Sequence, residues 1–181
     1  DKYGTDALRF SLIYGISAGN DISYMPEKLD LASNFANKLW NASKFVLMNL
    51  EDYDGIYDEK DLCKEDKWIL SKLNTLAKEV TNNMNKFELG IALQKVYDLI
   101  WDEFCDWYIE IAKIRLQKGG DEAQTAKQVL VWVMDKILKL LHPFMPFITE
   151  EIWQTIPHNG ESIMISVWPE FDDALSFAAE E

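Results

Sequence analysis

The sequence is poor in the residues that build metal sites and nucleophilic sites. Its 181 residues include two cysteines and two histidines, and no Cys-x-x-Cys or Cys/His spacing typical of a zinc site occurs. Cys63 and Cys105 are isolated, so we expect reduced core thiols in an intracellular, cytoplasmic protein. Glycine-rich nucleotide-binding, P-loop and His-Glu-x-x-His motifs are missing as well. These absences exclude the common sequence signatures of catalysis and predict no metal site.

Positive charge and long apolar runs are also scarce. Lysine and arginine total 18 against 31 aspartates and glutamates, which gives a net charge of −13. This balance argues against capture of nucleic acid or of an anionic membrane by the whole surface, although it permits a local basic patch. No apolar run approaches the roughly 18 residues of a membrane-spanning helix. We therefore expect no membrane partner.

Apolar residues at helical spacing are abundant. Hydrophobic residues make up 48% of the chain, with seven tryptophans, which is typical of a packed core. Repeats at three to four residues predict six helices, over 3–17, 26–50, 68–87, 88–116, 123–142 and 149–156. Residues 162–168 have the composition of a strand, which would need a partner inside or outside this chain. The fold expected is an all-α helix bundle with a short β-like tail.

The composition also suggests three regions. A first helix and loop occupy residues 1–25, the helical bundle occupies 26–157, and a β-like tail occupies 158–181. The chain starts DKYGTDALRF, without methionine, and its helical pattern begins almost at once. We expect a piece of a longer protein with a truncated tail.

The helix predicted over 26–50 has two different faces. At about 100° per residue, an apolar face including Leu29, Phe35 and Leu39 points toward the core. Amides, ammonium groups and one phenyl ring point the other way, from Asn34, Asn37, Lys38, Asn41, Lys44 and Phe45. This face suits stacking and hydrogen bonding to a ligand. Alternatively, the phenyl ring packs beneath a neighbouring loop and the amides tie helices together.

Acidic side chains cluster on the helix predicted over 88–116, at Asp102, Glu103, Asp106 and Glu110. Such carboxylates could perform acid–base chemistry or bind metal, but helix-bundle metal sites also use Glu-x-x-His, which this helix lacks. We expect instead the solvated face of an amphipathic helix. Elsewhere, Arg9 is expected to pair with a carboxylate, and His142 to be a hydrogen-bonded residue at a helix end.

Several segments together resemble one enzyme family. Residues 140–153, LLHPFMPFITEEIW, are similar to the segment that closes the anticodon-binding bundle of class I aminoacyl-tRNA synthetases for valine, isoleucine and leucine. Residues 34–49 and 101–110 resemble the valine branch in particular. Residues 3–10 resemble the helix that follows the family's KMSKS signature loop. The similarity covers essentially the whole chain in the same order.

The resemblance implies a part of a valine–tRNA ligase, the enzyme that attaches valine to tRNA(Val) with ATP in protein biosynthesis. It implies that residues 26–157 dock the anticodon stem-loop and that residues 1–25 lie in the stem-contact region. The HIGH and KMSKS motifs are missing, so the chain alone is expected to be inactive and to need no cofactor, with ATP and Mg²⁺ used by the parent. Expected partners are tRNA(Val) and the parent's catalytic, editing and coiled-coil domains, in a monomer.

The same resemblance gives the polar face of the second helix a role. Single-stranded bases are recognised by stacking on aromatic rings and by hydrogen bonds to their edges. In the family a position like Phe45 is associated with anticodon bases. Nearby amides, from Asn34, Asn37 and Asn41, can bind base edges. Nearby ammonium groups, from Lys38 and Lys44, can bind phosphates. Two alternatives stay open: the isoleucine or leucine branch, and a helical protein-interaction domain without an RNA role.

Overall fold

The computed structural model describes residues 2–16, 19, 25–53 and 62–177. Within these ranges the helical elements are α1 (Thr5–Ser11), α2 (Pro26–Met48), α3 (Lys64–Asn85), α4 (Leu89–Asp98), a π-helix (Leu99–Tyr108), α5 (Ile109–Lys118), α6 (Gly120–Leu141), α7 (Pro146–Trp153) and two 3-10 turns, Ile163–Ile165 and Asp173–Leu175. The described residues contain no strand, so the predicted all-α fold is confirmed. Most of the predicted loop 18–25, residues 54–61 and the end of the tail lie outside the described residues.

The bundle is built around α6. Val133, Met134 and Ile137 are completely shielded from solvent, and α2, α3, α4, α5 and α7 all contact this helix. A helix with so broad an apolar stripe is stable only when several other helices cover that stripe, which agrees with the central position that its sequence predicts. Pro146 begins α7, where its missing N–H would have had no helical partner. In the described part of the chain, none of the helices has both the length and the apolar character needed to span a membrane.

Two charged residues fix α1 to the end of the bundle. Asp6 accepts a hydrogen bond from the Ile148 N–H, 2.7 Å away, which is an unpaired donor in the first turn of α7. Arg9 donates to the carbonyl groups of Pro143 and Phe144, just beyond α6, at 2.9 and 3.3 Å. The expected ion pair of Arg9 with a carboxylate is therefore wrong for the described residues. Carbonyl oxygens at the end of a helix carry partial negative charge, and they attract the guanidinium instead.

Gly90 lets the turn that follows α1 approach the start of α4. A Cβ atom on this residue would lie 2.2 Å from the Ile16 carbonyl oxygen and 3.0 Å from that of Ile13. Because these contacts are with backbone atoms, a side chain at Gly90 would force the two elements apart. On the same side of α1, the buried ring of Phe10 stacks on Tyr14 with their centroids 4.7 Å apart. This helix is therefore a packed part of the bundle.

The helix predicted over 88–116 is one continuous rod made of α4, the π-helix and α5. A π-helix closes hydrogen bonds from residue i to residue i+5. Residues five positions apart consequently share a side, and the pairs Leu99/Phe104 and Ile100/Cys105 are buried together. The central part of the rod thus turns its side chains differently from the α-helix that the sequence predicts.

A buried ion pair joins α5 to the start of α3. The Arg115 guanidinium lies 2.6 and 2.8 Å from the two carboxylate oxygens of Asp66, which is fully buried. The Tyr108 hydroxyl donates to the same carboxylate at 2.6 Å, and the Cys63 N–H donates at 3.1 Å. A buried charge without partners is strongly destabilising. These four groups therefore hold the rod against α3.

The segment predicted as a strand, residues 162–168, forms a turn at its centre. The backbone of Ser162 is extended, with φ −152° and ψ 143°, but Ile163–Ile165 is a 3-10 turn. The Ser162 hydroxyl caps this turn by accepting a hydrogen bond from the Met164 N–H at 3.2 Å. The strand prediction for these residues is wrong, although extended backbone persists on either side of the turn.

The tail docks on α3, and this contact explains why it pairs with no strand among the described residues. The Asn74 amide exchanges two hydrogen bonds with the backbone of Asp172, both 2.8 Å long. Trp168 donates its indole N–H to the Thr81 hydroxyl at 2.9 Å. Since side chains of a helix satisfy these polar groups, the tail needs no strand partner.

Candidate functional site

The asparagines predicted as binding residues lie on the outer side of α2. Asn34, Asn37 and Asn41 are all exposed, and none has a side-chain hydrogen bond to another described residue. The alternative in which these amides tie helices together therefore does not hold within the described ranges. Each side chain keeps its donors and its acceptor available to a ligand from outside.

Phe45 lies between this outer side and the core. The ring is half-buried and packs against the hydrophobic core. Above it, the Lys113 ammonium of α5 lies 5.4 Å from the ring centroid. One part of the ring is therefore packed and the rest of its surface is accessible.

The two predicted lysines have different surroundings. The Lys38 ammonium lies 2.6 Å from Asp106 Oδ1 and 3.8 Å from the centroid of the Trp101 ring, and its side chain is only 22% exposed. Lys44 is exposed, lies 5.5 Å from the Trp40 ring centroid, and has no ion pair with another described residue. The positive charge of Lys38 is therefore balanced by a neighbouring carboxylate, whereas that of Lys44 has no described carboxylate beside it.

The polar side of α2 meets the rod at one edge, through Lys38 and Phe45; we call this side of α2, together with the rod side chains at that edge, the α2 seam. Its members are Asn34, Asn37, Lys38, Trp40, Asn41, Lys44, Phe45, Trp101, Asp106, Glu110 and Lys113. Lys38 lies over the Trp101 ring, Lys44 over Trp40 and Lys113 over Phe45. Its three lysines face two carboxylates, since Glu110 pairs with Lys113. In a chain with a net charge of −13, this makes the seam a comparatively basic surface.

Sequence reasoning missed the wall of the seam that belongs to the rod, above all Trp101 and Asp106. In an α-helix, residues five apart are separated by about 140° around the axis. That geometry would put Trp101 in the core and Asp106 in solvent. The π-helix brings positions i and i+5 to the same side, so both side chains meet Lys38. Apolar pairs at five-residue spacing in residues 99–105 are a sequence signal for this geometry.

The other acidic side chains of the rod are exposed or paired with lysines. Glu103 lies 3.4 Å from the Lys72 ammonium, Glu110 pairs with Lys113, and Asp102 is exposed. Apart from one buried oxygen of Glu103, this agrees with the solvated face predicted from the amphipathic pattern. Within the described residues, no group of three or more His, Cys, Asp or Glu side chains is arranged to hold a metal ion.

His142 and the two thiols have structural surroundings. His142 Nδ1 lies 2.8 Å from the Thr149 hydroxyl, which confirms a hydrogen-bonded residue at a helix end, and burial lowers the pKa of its ring. Cys63 and Cys105 are free thiols, and burial raises the pKa of each to about 12. Because the thiolate is the reactive form, neither group is a nucleophile near neutral pH.

Comparisons with known proteins agree on one family. The family described as the anticodon-binding domain of tRNA ligase matches residues 66–181, more than half of the chain. Valine–tRNA ligases are similar over nearly all of it: 50% identity over 184 residues for Bacillus cereus ATCC 10987, 54% over 179 for Clostridium perfringens strain 13 and 52% over 176 for Bacillus subtilis strain 168. The resemblance to the valine branch is confirmed.

These matches cover 98%, 97% and 93% of this chain, but only 20% of each relative. The chain thus spans about a fifth of the length of the curated relatives it matches. A solved structure with a similar fold is LeuRS agnB2 of Agrobacterium radiobacter K84, in a ternary complex with tRNA and LeuAMS. The TM-score is 0.70 at 19% identity, over 97% of this chain and 20% of that one. This likeness shows a shared fold that includes α2.

Proposed function

We propose that this chain, which belongs to the family of anticodon-binding domains of tRNA ligases, binds the anticodon stem-loop of tRNA(Val) as part of a valine–tRNA ligase. The α2 seam carries the proposal, because it combines unpaired amides, lysines and aromatic rings on an otherwise acidic chain. Identity of 50–54% with valine–tRNA ligases supports the choice of tRNA(Val).

Base recognition in this proposal rests on Phe45 and the three asparagines. An unpaired anticodon base stacks on the exposed part of the Phe45 ring, while the packed part holds the ring still. Asn34, Asn37 and Asn41 each offer an amide donor and acceptor to a base edge. A ring that is already ordered loses little conformational entropy on binding, so half-burial favours this role.

Phosphate recognition rests mainly on Lys44. Lys38 can contribute only after it leaves Asp106 or shares its ammonium between carboxylate and phosphate. Each phosphate neutralised by a lysine adds about one to the slope of log affinity against log salt concentration. We therefore expect weak, salt-sensitive binding by this chain.

The remaining steps of the reaction belong to other parts of the parent ligase. In this proposal valine, ATP and Mg²⁺ bind to the catalytic domain, and this chain positions the tRNA. Residues 1–25, with α1, occupy the stem-contact region beside that domain, and residues 26–157 dock the anticodon. Partners are the catalytic, editing and coiled-coil domains of the same polypeptide, in a cytoplasmic monomer.

The test is binding of tRNA(Val) to wild-type chain and to the variant Phe45→Leu. Leucine keeps the packing against the core but removes the stacking ring. At low salt we expect affinity to fall by about 5- to 150-fold, which corresponds to roughly 1–3 kcal/mol per stacked base. The matched control Phe147→Leu changes an exposed phenylalanine on α7 and should leave the affinity unchanged. Equal affinities of Phe45→Leu and wild type would contradict the proposal.

Asn41→Ala tests the amides separately. Because the Asn41 side chain is exposed and unbonded within the described residues, its loss should leave the thermal midpoint unchanged. Binding of tRNA(Val) should weaken more than binding of a non-cognate tRNA, whereas Asn85→Ala at the end of α3 should affect neither. If wild-type chain does not prefer either tRNA and no variant alters binding, a protein-interaction domain becomes the better explanation.

A further inference from the structure

A second concave surface lies where the π-helix faces α3. It is a groove of about 390 Å³ with an apolar floor formed by Trp68, Trp107 and Ile111. Its rim carries three carboxylates and one ammonium group, from Glu65, Asp102, Glu103 and Lys64. The indole of Trp107 is 65% exposed, which is unusual for so large an apolar side chain. We call this surface the Trp groove.

We propose that the Trp groove binds a segment of a partner protein that presents arginine or lysine side chains. An indole face attracts a guanidinium or an ammonium group, and the aliphatic stem of either side chain packs on apolar surface. Carboxylates around the rim complement the positive charge of such a segment. The apolar floor and the carboxylates of the rim therefore both favour an arginine or lysine side chain.

Glu103 is the least exposed of the three carboxylates at the rim. One of its carboxylate oxygens is 3.4 Å from the Lys72 ammonium, but the other is buried without a hydrogen-bond partner among the described residues. A guanidinium has five N–H donors in a planar fork that matches a carboxylate, so an arginine in the groove can pair with the carboxylates of the rim.

Charge argues against RNA as the occupant. Three carboxylates against one lysine would repel a phosphate backbone, in contrast to the α2 seam. Exposed tryptophans also tend to be the residues that contribute most to protein interfaces. A basic polypeptide segment is therefore the occupant that floor and rim both favour, and this inference does not depend on the proposed tRNA binding.

The test uses a short fluorescein-labelled peptide with two arginines separated by glycine, titrated with the 181-residue chain. Trp107→Ala should weaken binding by about 2- to 30-fold, the range expected for loss of a cation–π contact. Phe87→Ala is the matched control, since Phe87 is 81% exposed in the turn between α3 and α4. It should change the affinity by less than about twofold. Trp107→Phe, which keeps an aromatic face, should restore most of the binding.

A second variant tests the rim independently of the floor. Glu103→Gln keeps the shape of the side chain but removes its charge, so the peptide should bind several-fold more weakly. The control Glu151→Gln removes an exposed charge from α7 and should have no such effect. The inference is overturned if Trp107→Ala behaves like Phe87→Ala or if a glutamine-for-arginine peptide binds equally well. It is also overturned if Trp107→Ala lowers the affinity of an oligouridine RNA while peptide binding is unchanged.

Discussion

The α2 seam and the Trp groove share one wall, the π-helix, and differ in the charges around their aromatic rings. In the seam, lysines of the chain itself lie over Trp40, Phe45 and Trp101. In the groove, Trp68 and Trp107 are surrounded mainly by carboxylates, and no lysine or arginine of the described part lies over either ring. The two surfaces thus offer similar rings in opposite electrostatic settings.

This difference shows that exposed aromatic rings do not by themselves define a ligand. Rings beside ammonium groups suit bases, because the same ligand brings phosphates that the ammonium groups attract. Rings beside carboxylates suit cationic side chains, because the rim and the ring quadrupole attract the same charge. The charges around each surface therefore decide which class of partner we assign to it.

Removing the buried ion pair between Arg115 and Asp66, which holds the rod against α3, should have the largest effect on stability and binding. Arg115→Met leaves the Asp66 carboxylate buried without its cation, so we expect about 3–5 kcal/mol of destabilisation. Urea unfolding measures this loss, and tRNA binding and peptide binding should weaken together. Lys118→Met is the control, because Lys118 forms an exposed ion pair with Glu122 at 3.6 Å on the outside of the bundle. That control should cost less than about 1 kcal/mol.

Adding Asp66→Leu to Arg115→Met should recover part of the stability, since it removes the unpaired buried carboxylate. If Arg115→Met cost no more than Lys118→Met, the buried pair would not be what holds the rod against α3. Another contact would then have to hold the π-helix, which lines both surfaces, in its place.

Inverting one charge of the groove should have the next largest effect. Asp102→Lys places a cation on the rim, and like-charge repulsion should weaken the basic peptide more than about tenfold. The same variant should increase binding of oligouridine and add about one to its salt slope. Glu151→Lys makes the same charge change on α7 and serves as the control. Unchanged peptide and RNA binding in Asp102→Lys would mean that rim charge does not distinguish the two surfaces.

Removing the Asp106 carboxylate that pairs with Lys38 should have the smallest effect on binding. Asp106→Asn removes the carboxylate 2.6 Å from the Lys38 ammonium but keeps a side chain of similar size. An exposed ion pair is worth about 0.2–1 kcal/mol, so tRNA(Val) should bind about 1.5- to 5-fold more tightly. A salt series of the binding constant measures this gain, with Glu122→Gln as the control for another exposed pair. Weaker binding by Asp106→Asn would show that the carboxylate positions Lys38 rather than restraining it.

Much of the fold follows from sequence periodicity. The apolar stripe of α2 keeps one period over 23 residues, so the core positions Leu29, Phe35 and Leu39 and the opposite polar face are both predictable. The central position of α6 follows in the same way. Assignment of the polar face to RNA comes from resemblance, since periodicity does not distinguish a packed Phe45 from one that binds a ligand.

The rest depends on contacts between residues far apart in sequence. The π-helix places Trp101 and Asp106 together against the expectation for an α-helix, so periodicity does not reveal this part of the seam. The β-rich composition of residues 162–168 does not reveal that Thr81 of α3 binds the indole of Trp168 or that Asn74 of α3 binds the backbone of Asp172. The Trp groove likewise requires the rod and α3 to meet.

The attachment of α1 also sets an order of events during synthesis. Its partner Ile148 follows Asp6 by 142 residues, and the carbonyl groups that bind Arg9 are almost as distant. At about 5–20 residues per second, the ribosome adds the intervening chain in about 7–28 s. A helix of seven residues is too short to be stable alone. The polar attachment of α1 to the end of the bundle can therefore form only after α7 has emerged.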